Sequence, residues 1–393
     1  MIILNYFSRE DTLRLYRQLS GYPDLKLLVV DNSCNPAEAA SLRREIPAAS
    51  LLITKKNLGY AGGNNLGIRY LTGMACPPGK TATAVADTDP ANTTVAAPIA
   101  DTPGGSDADT DRAGAAGPAE SGSGGDPEDI DLIALLNPDI TLHENLFPAL
   151  RSAFEADPRL AAAGPRLCLR GKEERIYSDG GILVKDEREG FLKPVHLHRG
   201  RTAEEADAAP EARKPTGITT KPDQKADSNQ YSPADSRESN SAGSDENSPA
   251  NNHKNRYKNS KISREIDYVN GSFLVMRVEA LREVGLPDER FFLYFEEVDW
   301  CMRVKREGWS IAVLKDLAAG QKISDKGENY LYYFSRSWFL FLHKYDRRSI
   351  RPLMIRQLKK VKWTMQDSTM PAGKRLSLAW SRLKGIAAGV VNR

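Results

Sequence analysis

The sequence predicts an α/β protein: a Rossmann-like, mostly parallel sheet flanked by helices, with two disordered insertions and a basic helical C-terminal extension. Three observations carry that prediction. Short apolar runs alternate with amphipathic helical patterns at the start of the chain and again after residue 130, as expected of strands covered on both faces by crossover helices. Residues 75–129 and 200–262 hold almost no large aliphatic side chains; the first is rich in Ala, Thr, Pro, Gly and Asp, the second in Ser, Asn, Asp, Lys and Ala. Neither can bury enough apolar surface to offset the entropy of ordering. Beyond Arg347 the charged residues are almost all basic. Without the insertions roughly 270 to 280 residues remain, which suits one large domain over 1–345 and an extension over 346–393.

The 393 residues are 40% hydrophobic and carry a formal net charge of +3, too small a balance to assign a partner by itself. Cys34, Cys76, Cys168 and Cys301 lie far apart with no CxxC pair, which argues for a reducing compartment and against structural zinc. No run of ~18 apolar residues is present, and the N-terminus lacks the charged region of a signal peptide. A cytoplasmic protein is expected.

The elements follow in order. Residues 2–4 form an apolar run ending at Asn5 and Tyr6, and Ser8 with Asp11 has the spacing of a capping box before a helix bearing Leu13, Tyr16 and Leu19 on one face. The run LKLLVV at 25–30 makes a second strand that stops at Asp31; Asn35, Pro36 and Glu38 then offer an N-cap, an N1 proline and an N3 acid. Residues 51–54 form a third strand. In such sheets ligands collect beyond the carboxyl ends of the strands, which is where Asp31 and the loop after Thr54 stand. That loop, NLGYAGGNNLG at 57–67, has glycines that permit close backbone approach and asparagines able to read a base or ribose. The competing reading is a glycine-rich turn into a helix, and the stretch lacks the GxGxxG dinucleotide pattern. The buried strand at 130–136 ends in Asn137, Pro138 and Asp139, with Thr141 and Glu144 opening the next helix. Asp139 falls on the same sheet edge as Asp31. A carboxylate there could hold Mg²⁺ or Mn²⁺ against a diphosphate, although Asn-Pro-Asp is also a common turn.

Residues 288–303 read DERFFLYFEEVDWCMR. Glu296, Glu297 and Asp299 follow directly on an aromatic run. Carboxylates beside aromatic walls lose hydration, which raises their pKa and makes them better proton acceptors near neutral pH. The competing reading is a helix N-terminus that carries acids because its dipole favours them, with Trp300 and Met302 as core.

Taken together, residues 3–6, 29–33, 57–65, 135–139 and 291–299 resemble the family 2 glycosyltransferases, and more narrowly their rhamnosyltransferase-like branch, which builds bacterial surface polysaccharides. The motifs occur in the family's order. The resemblance implies a GT-A fold and an inverting transfer from a nucleotide-diphosphate sugar donor to a glycan or polyprenyl-linked acceptor. It implies that Asp31 contacts the nucleotide base, and that Asn5, Asn57, Gly62, Gly63, Asn65 and Asn137 belong to the nucleotide site. Asp139 stands where the family's metal motif ends, and Glu297 stands in the place of the catalytic base. Glu296 and Asp299 would orient that base or contact the acceptor, and Arg303 would neutralise part of the acidic cluster. The stretch 267–274 matches the family's strand and Gly-Ser turn, although Asn270-Gly271 also suits a plain hairpin; residues 178–181 are either a turn, the favoured reading, or a wall of the acceptor site. Two departures stand out. Glu297 is longer than the aspartate many members carry there, and Gln321 occupies a position that often holds a metal- or phosphate-contacting histidine, leaving Lys322 to supply phosphate charge. A catalytically weak relative that binds nucleotide sugars within an assembly is the second reading.

In the tail, basic residues from Arg347 to Arg393 face a single acid, Asp367, with Leu353, Leu358, Val361, Trp363 and Met365 interleaved among them. A basic amphipathic helix with Trp suits an anionic membrane surface, peripheral on the inner face of the plasma membrane; a helix packed on the domain with a basic solvated face fits as well. No nucleic-acid recognition motif accompanies the charge. The aromatic stretch 330–345 is expected to be core.

Overall fold

The computed structural model describes residues 1–75, 84–85, 130–186, 188–208, 262–323 and 327–391. The chain runs β1 (Ile2–Asn5), α1 (Arg9–Leu19), β2 (Leu28–Asp31), α2 (Pro36–Arg43), β3 (Leu51–Thr54), α3 (Gly59–Thr72) and β4 (Ala84–Val85). Next come β5 (Leu132–Leu136), β6 (Thr141–Leu142), α4 (Phe147–Ala156), β7 (Leu160–Leu169), β8 (Lys172–Ser178), β9 (Gly181–Lys185), β10 (Leu192–His196) and α5 (Ala203–Asp207). The last part holds β11 (Ile262–Ser263), β12 (Phe273–Arg277), α6 (Val278–Val284), α7 (Glu296–Arg306), β13 (Ser310–Gln321), α8 (Glu328–Tyr345), α9 (Ile350–Gln366) and α10 (Ala372–Val391).

The central strands take the order β13-β7-β12-β5-β1-β2-β3. All of these are parallel except β12, which runs against both β5 and β7. This is the mostly parallel, helix-flanked α/β sheet expected from the sequence. Alternation along β1 sends Ile2 and Leu4 to the face covered by α3, α7 and α8, and Ile3 to the face covered by α1, α2 and α4. The two-residue period of the strand thus divides the core into two layers.

Several local expectations change. Ser8 makes no side-chain cap; the Asn5 side chain accepts its amide at 3.2 Å and the Thr12 hydroxyl at 2.9 Å. The expected helix start at Thr141 is instead β6, because Leu142 is buried where it pairs with Ala319 of β13, and the helix begins at Phe147. Asn35 caps α2 as expected, accepting from the amides of Ala37 and Glu38. Most of the two expected insertions lies outside the described residues. Short parts of them are described: β4 pairs with β3, and α5 is opened by a Thr202–Glu205 capping box.

The stretch 57–67 is mostly helix, since α3 starts at Gly59. Its glycines serve packing. A Cβ at Gly63 would collide with Leu4 and one at Gly67 would lie 2.9 Å from Ile2. Close approach to β1 therefore outweighs the weak helix propensity of Gly and Asn.

Candidate active site

The site lies on one edge of the sheet, where β1, β2, β3 and β5 end, β12 begins, and β13 terminates at Gln321. Two adjoining cavities open there. The larger, about 510 Å³, has Tyr6, Asp11, Asn32, Asn57, Asp139 and Lys322 on its walls. The smaller, about 230 Å³, is walled by Glu296 and Glu297 together with Tyr177, His196, Tyr294 and Phe334. Tyr60, Asn137, Leu293 and Ile323 line both, so the two form one cleft.

The floor of the larger cavity is a network of short polar side chains. Asn32 Nδ2 donates to Asn57 Oδ1 and to the Gly59 carbonyl, each at 3.0 Å, while its Oδ1 accepts from the Leu58 amide at 2.9 Å. Asp31 is fully buried beneath it. Its Oδ1 accepts from Asn5 Nδ2 at 2.9 Å and from the Ser33 amide, and its Oδ2 has no partner among the described residues. Asn5 is likewise fully buried and committed to Asp31, Ser8 and Thr12. It organises the strand ends and does not reach the cavity.

Asp31, expected against the base, lines neither cavity because it is sealed beneath Asn32, and three more of the nucleotide-site candidates do not line the cleft either. Gly62 packs its backbone against Leu58 and Gly63 against Leu4. Asn65 is buried with its amide donated to the Pro287 carbonyl at 2.8 Å and to Glu289. These residues dock α3 onto the sheet and onto the segment before the acidic helix, because a helix turn points them inward, away from both cavities. Asn57 and Asn137 do line it. Asn137 ties the end of β5 to the start of β12, its Nδ2 donating to Ser272 Oγ at 3.1 Å.

Asp139 is half-buried on the wall of the larger cavity, held in a loop that Arg14 clamps by donating to the Pro138 and Ile140 carbonyls. Burial is the main influence on its carboxyl and raises its pKa, with Asp11 adding to the rise. Gln321 Nε2 donates to Asp139 Oδ2 at 2.8 Å and to the Lys322 carbonyl at 2.9 Å. Two acceptors fix the amide's orientation, which leaves Gln321 Oε1 buried and unpartnered among the described residues. No group of three or more His, Cys, Asp or Glu gathers there among the described residues. The oxygens present suit a hard divalent ion bound through one carboxylate and completed by diphosphate and water, and Lys322 and Arg170 only partly offset the effect of burial on that carboxyl.

The smaller cavity is shaped by strained backbone. Phe292, Tyr294 and Phe295 have φ of +63°, +69° and +73°, a region that costs non-glycine residues about 1–3 kcal/mol each. The strain turns the aromatic run so that Phe295 enters the core and α7 begins with its acids at the cleft. Glu297 is half-buried, and the Gly271 backbone lies beside its side chain. At a helix N-terminus the amides and dipole favour carboxylate, yet burial wins here and pushes Glu297 up to about 7. Glu296 is raised further, by burial first and by Glu297 second. Each has an Oε2 without a partner among the described residues.

Asp299 does not join them. It is fully buried in ion pairs with Arg303 at 2.9 Å and Lys344 at 2.5 Å, and accepts from the Tyr345 hydroxyl at 2.8 Å. Two residues along a helix from Glu297, it faces the opposite side and fastens α7 to α8. Cys301 is also sealed, its thiol pushed up to about 12 by burial. Residues 178–181 pass from the end of β8 through a bend into β9 and line neither cavity, with Asp179 buried against Arg166 at 2.7 Å and His198 at 2.8 Å.

Other wall residues carried no sequence signal of their own. Tyr330 and Phe334, expected in the core, line the smaller cavity, and Tyr333 stacks on Phe292 beside the larger one; Trp338, Phe339 and Phe341 are core as expected. The helical spacing of Tyr330, Tyr333 and Phe334 marks a shared face without saying what the face meets. His196 is held neutral, its pKa lowered to about 4 chiefly by burial, and it bonds Ser178 Oγ at 3.1 Å.

No family model matches the chain. A stretch of 72 residues is 40% identical to the low-salt glycan biosynthesis hexosyltransferase Agl10 of Haloferax volcanii, covering 18% of this chain and 22% of that protein. The chain therefore matches about a fifth of that relative's length. Among solved structures, GalNAc-T7 with UDP, GalNAc and Mn²⁺ superposes with a TM-score of 0.45 at 9% identity, covering 97% of this chain and 53% of that one. The mannosyltransferase PcManGT from Pyrobaculum calidifontis, in complex with GDP-Man and Mn²⁺, superposes with a TM-score of 0.40 at 10% identity over 98% of this chain and 72% of that one.

Proposed function

We propose that this chain transfers a sugar, with inversion, from a nucleotide-diphosphate sugar to a hydroxyl of a glycan or polyprenyl-linked acceptor, as family 2 glycosyltransferases of the rhamnosyltransferase-like branch do in building bacterial surface polysaccharides. The observation that carries this reading is the two-chambered cleft: Asp139 on one wall, Glu297 poised at about 7 on the other, and Asn137 common to both chambers. The nucleotide fits the larger chamber, where Asn32 and Asn57 present a fixed polar surface and Tyr6, 46% exposed, offers a ring for the base. The acceptor fits the smaller one, whose aromatic walls suit the apolar faces of a sugar ring.

In the proposed displacement the acceptor oxygen bonds to C1 as the bond from C1 to the diphosphate breaks. Glu297 takes the acceptor's proton, and the electron pair leaves with the diphosphate. Glu296, protonated because its burial and its neighbour's charge both oppose ionisation, keeps a second negative charge out of the chamber. Lys322 borders the leaving-group side. Asp139 would hold a Mg²⁺ or Mn²⁺ ion, which when bound supplies positive charge to the diphosphate.

Nucleotide sugars incubated with the purified full chain test the reading. Hydrolysis or transfer should occur and should fall about 10²- to 10⁴-fold in Glu297→Gln, with the fold retained by circular dichroism. A binding-only role is the second reading, favoured by Gln321, whose amide already occupies Asp139 Oδ2. Turnover equal to zero in the wild type, alongside thermal stabilisation by a nucleoside diphosphate, would establish it instead.

A further inference from the structure

Of the twelve large hydrophobic side chains left exposed among the described residues, seven sit on α9 and α10. The aromatic members of the set are Trp363 at 53% and Trp380 at 59% exposed. On α9, Ile355, Leu358, Lys359 and Lys362 recur at spacings of three and four on the outward face, while Leu353 and Gln357 are buried. On α10, Leu376, Trp380, Ala387 and Val391 make an exposed stripe at helical spacing, opposite the buried Leu378, Ala379 and Ile386. The inward face of α10 is fully used: Gly385 and Gly389 lie against the Tyr332 and Arg336 carbonyls of α8. The outward stripe is therefore a second apolar face and not a core face displaced by fraying.

Charge accompanies it. From Arg347 to Arg393, twelve basic residues stand against the single acid Asp367, whereas the whole chain is only +3. The rest of the molecule is consequently net negative, and the positive charge is segregated onto this tail. We propose that the outward faces of α9 and α10 form a docking surface for an anionic lipid membrane. Lysines near such a surface each contribute about tenfold or less in affinity through attraction to the headgroups, tryptophans settle at the boundary between headgroup and chain, and the aliphatic stripe enters just below. No helix among the described residues is long and apolar enough to cross a bilayer, so the surface lies on the membrane. The first turns of α8 wall the smaller cavity through Tyr330 and Phe334, and α10 packs on the same helix, so a docked molecule would hold that cavity near the lipid. The docking surface itself does not depend on the proposed reaction.

Sedimentation of the full chain with vesicles, in the absence of any substrate, tests it. Vesicles of mixed phosphatidylglycerol and phosphatidylcholine should retain the protein, phosphatidylcholine alone should retain little, and high salt should release it. Lys359→Ala with Lys362→Ala should lower partitioning roughly thirtyfold, and Trp363→Ala with Trp380→Ala at least about tenfold, with melting unchanged because all four side chains are exposed. Equal retention on both vesicle types, no retention, or variants that bind as the wild type does would overturn the proposal. So would a dimer in sedimentation equilibrium that Trp380→Ala dissociates while vesicles fail to bind, which would make the face a self-interface, or retention by duplex nucleic acid in place of vesicles.

Discussion

Glu297 and Asp299 are two residues apart and have opposite fates. Glu297 opens on a cavity with one oxygen unpartnered among the described residues, while Asp299 is sealed among Arg303, Lys344 and Tyr345. Removing each charge should therefore show in different measurements. Asp299→Asn should lower stability by about 1–3 kcal/mol, because it removes the buried carboxylate that Arg303, Lys344 and Tyr345 share while both cations keep access to water, and urea unfolding reads that directly. Glu297→Gln should spare the fold and lower turnover about 10²- to 10⁴-fold. The rate should also follow Glu297's titration: a general base pushed up to about 7 is protonated below that pH, so kcat should rise with pH through about 7 and level off above it. A rate already flat across roughly pH 5 to 8 would remove Glu297 from that role.

Among the elements, the cleft depends on how α3 meets the segment before α7. Gly59 has φ of +72°, and a Cβ there would collide with the Phe292 carbonyl and ring; the Tyr60 amide donates to that same carbonyl. Gly59→Ala should cost about 2–5 kcal/mol, from left-handed backbone strain and overpacking together. Because Phe292 and Tyr60 both border the cleft, ligand binding should weaken even in the fraction that remains folded. Denaturant titration with and without a nucleoside diphosphate separates the two effects. The Gly-rich string was legible as a place of close approach; Gly63 and Gly67 approach the side chains of β1, while Gly59 meets Phe292 and lies on the cavity wall.

Across the molecule, the buried acids leave a mark on stability as a function of pH. Glu297 is raised from 4.5 to about 7 in the folded state, so the folded protein binds its proton more tightly than the unfolded chain does. The resulting stabilisation is present in full below about pH 4.5 and is lost as pH rises to about 7. Replacing Glu297 by Gln removes that loss. The variant should match the wild type near about pH 4 and exceed it near about pH 8 by roughly 3 kcal/mol, measured by urea unfolding at the two values; an equal difference at both would show that Glu297 is not buried against its charge.

Patterns between near neighbours along the chain were enough to establish the α/β class, the positions of β1, β3 and β5 to within about two residues, the cap of α2, and the sheet edge where Asp31, Asn137 and Asp139 gather. Hydrophobic periodicity and local capping need nothing from distant segments. The inward packing of Gly62, Gly63 and Asn65, the anchoring role of Asp299, and the place of Tyr330 and Phe334 on a cavity wall came from the folded molecule alone. Each of those outcomes depends on which face of a helix meets which distant segment: Gly63 on Leu4, Asn65 on Pro287, Asp299 on Lys344. Helical spacing states that residues share a face, while the energy of covering that face comes from partners far away in the chain.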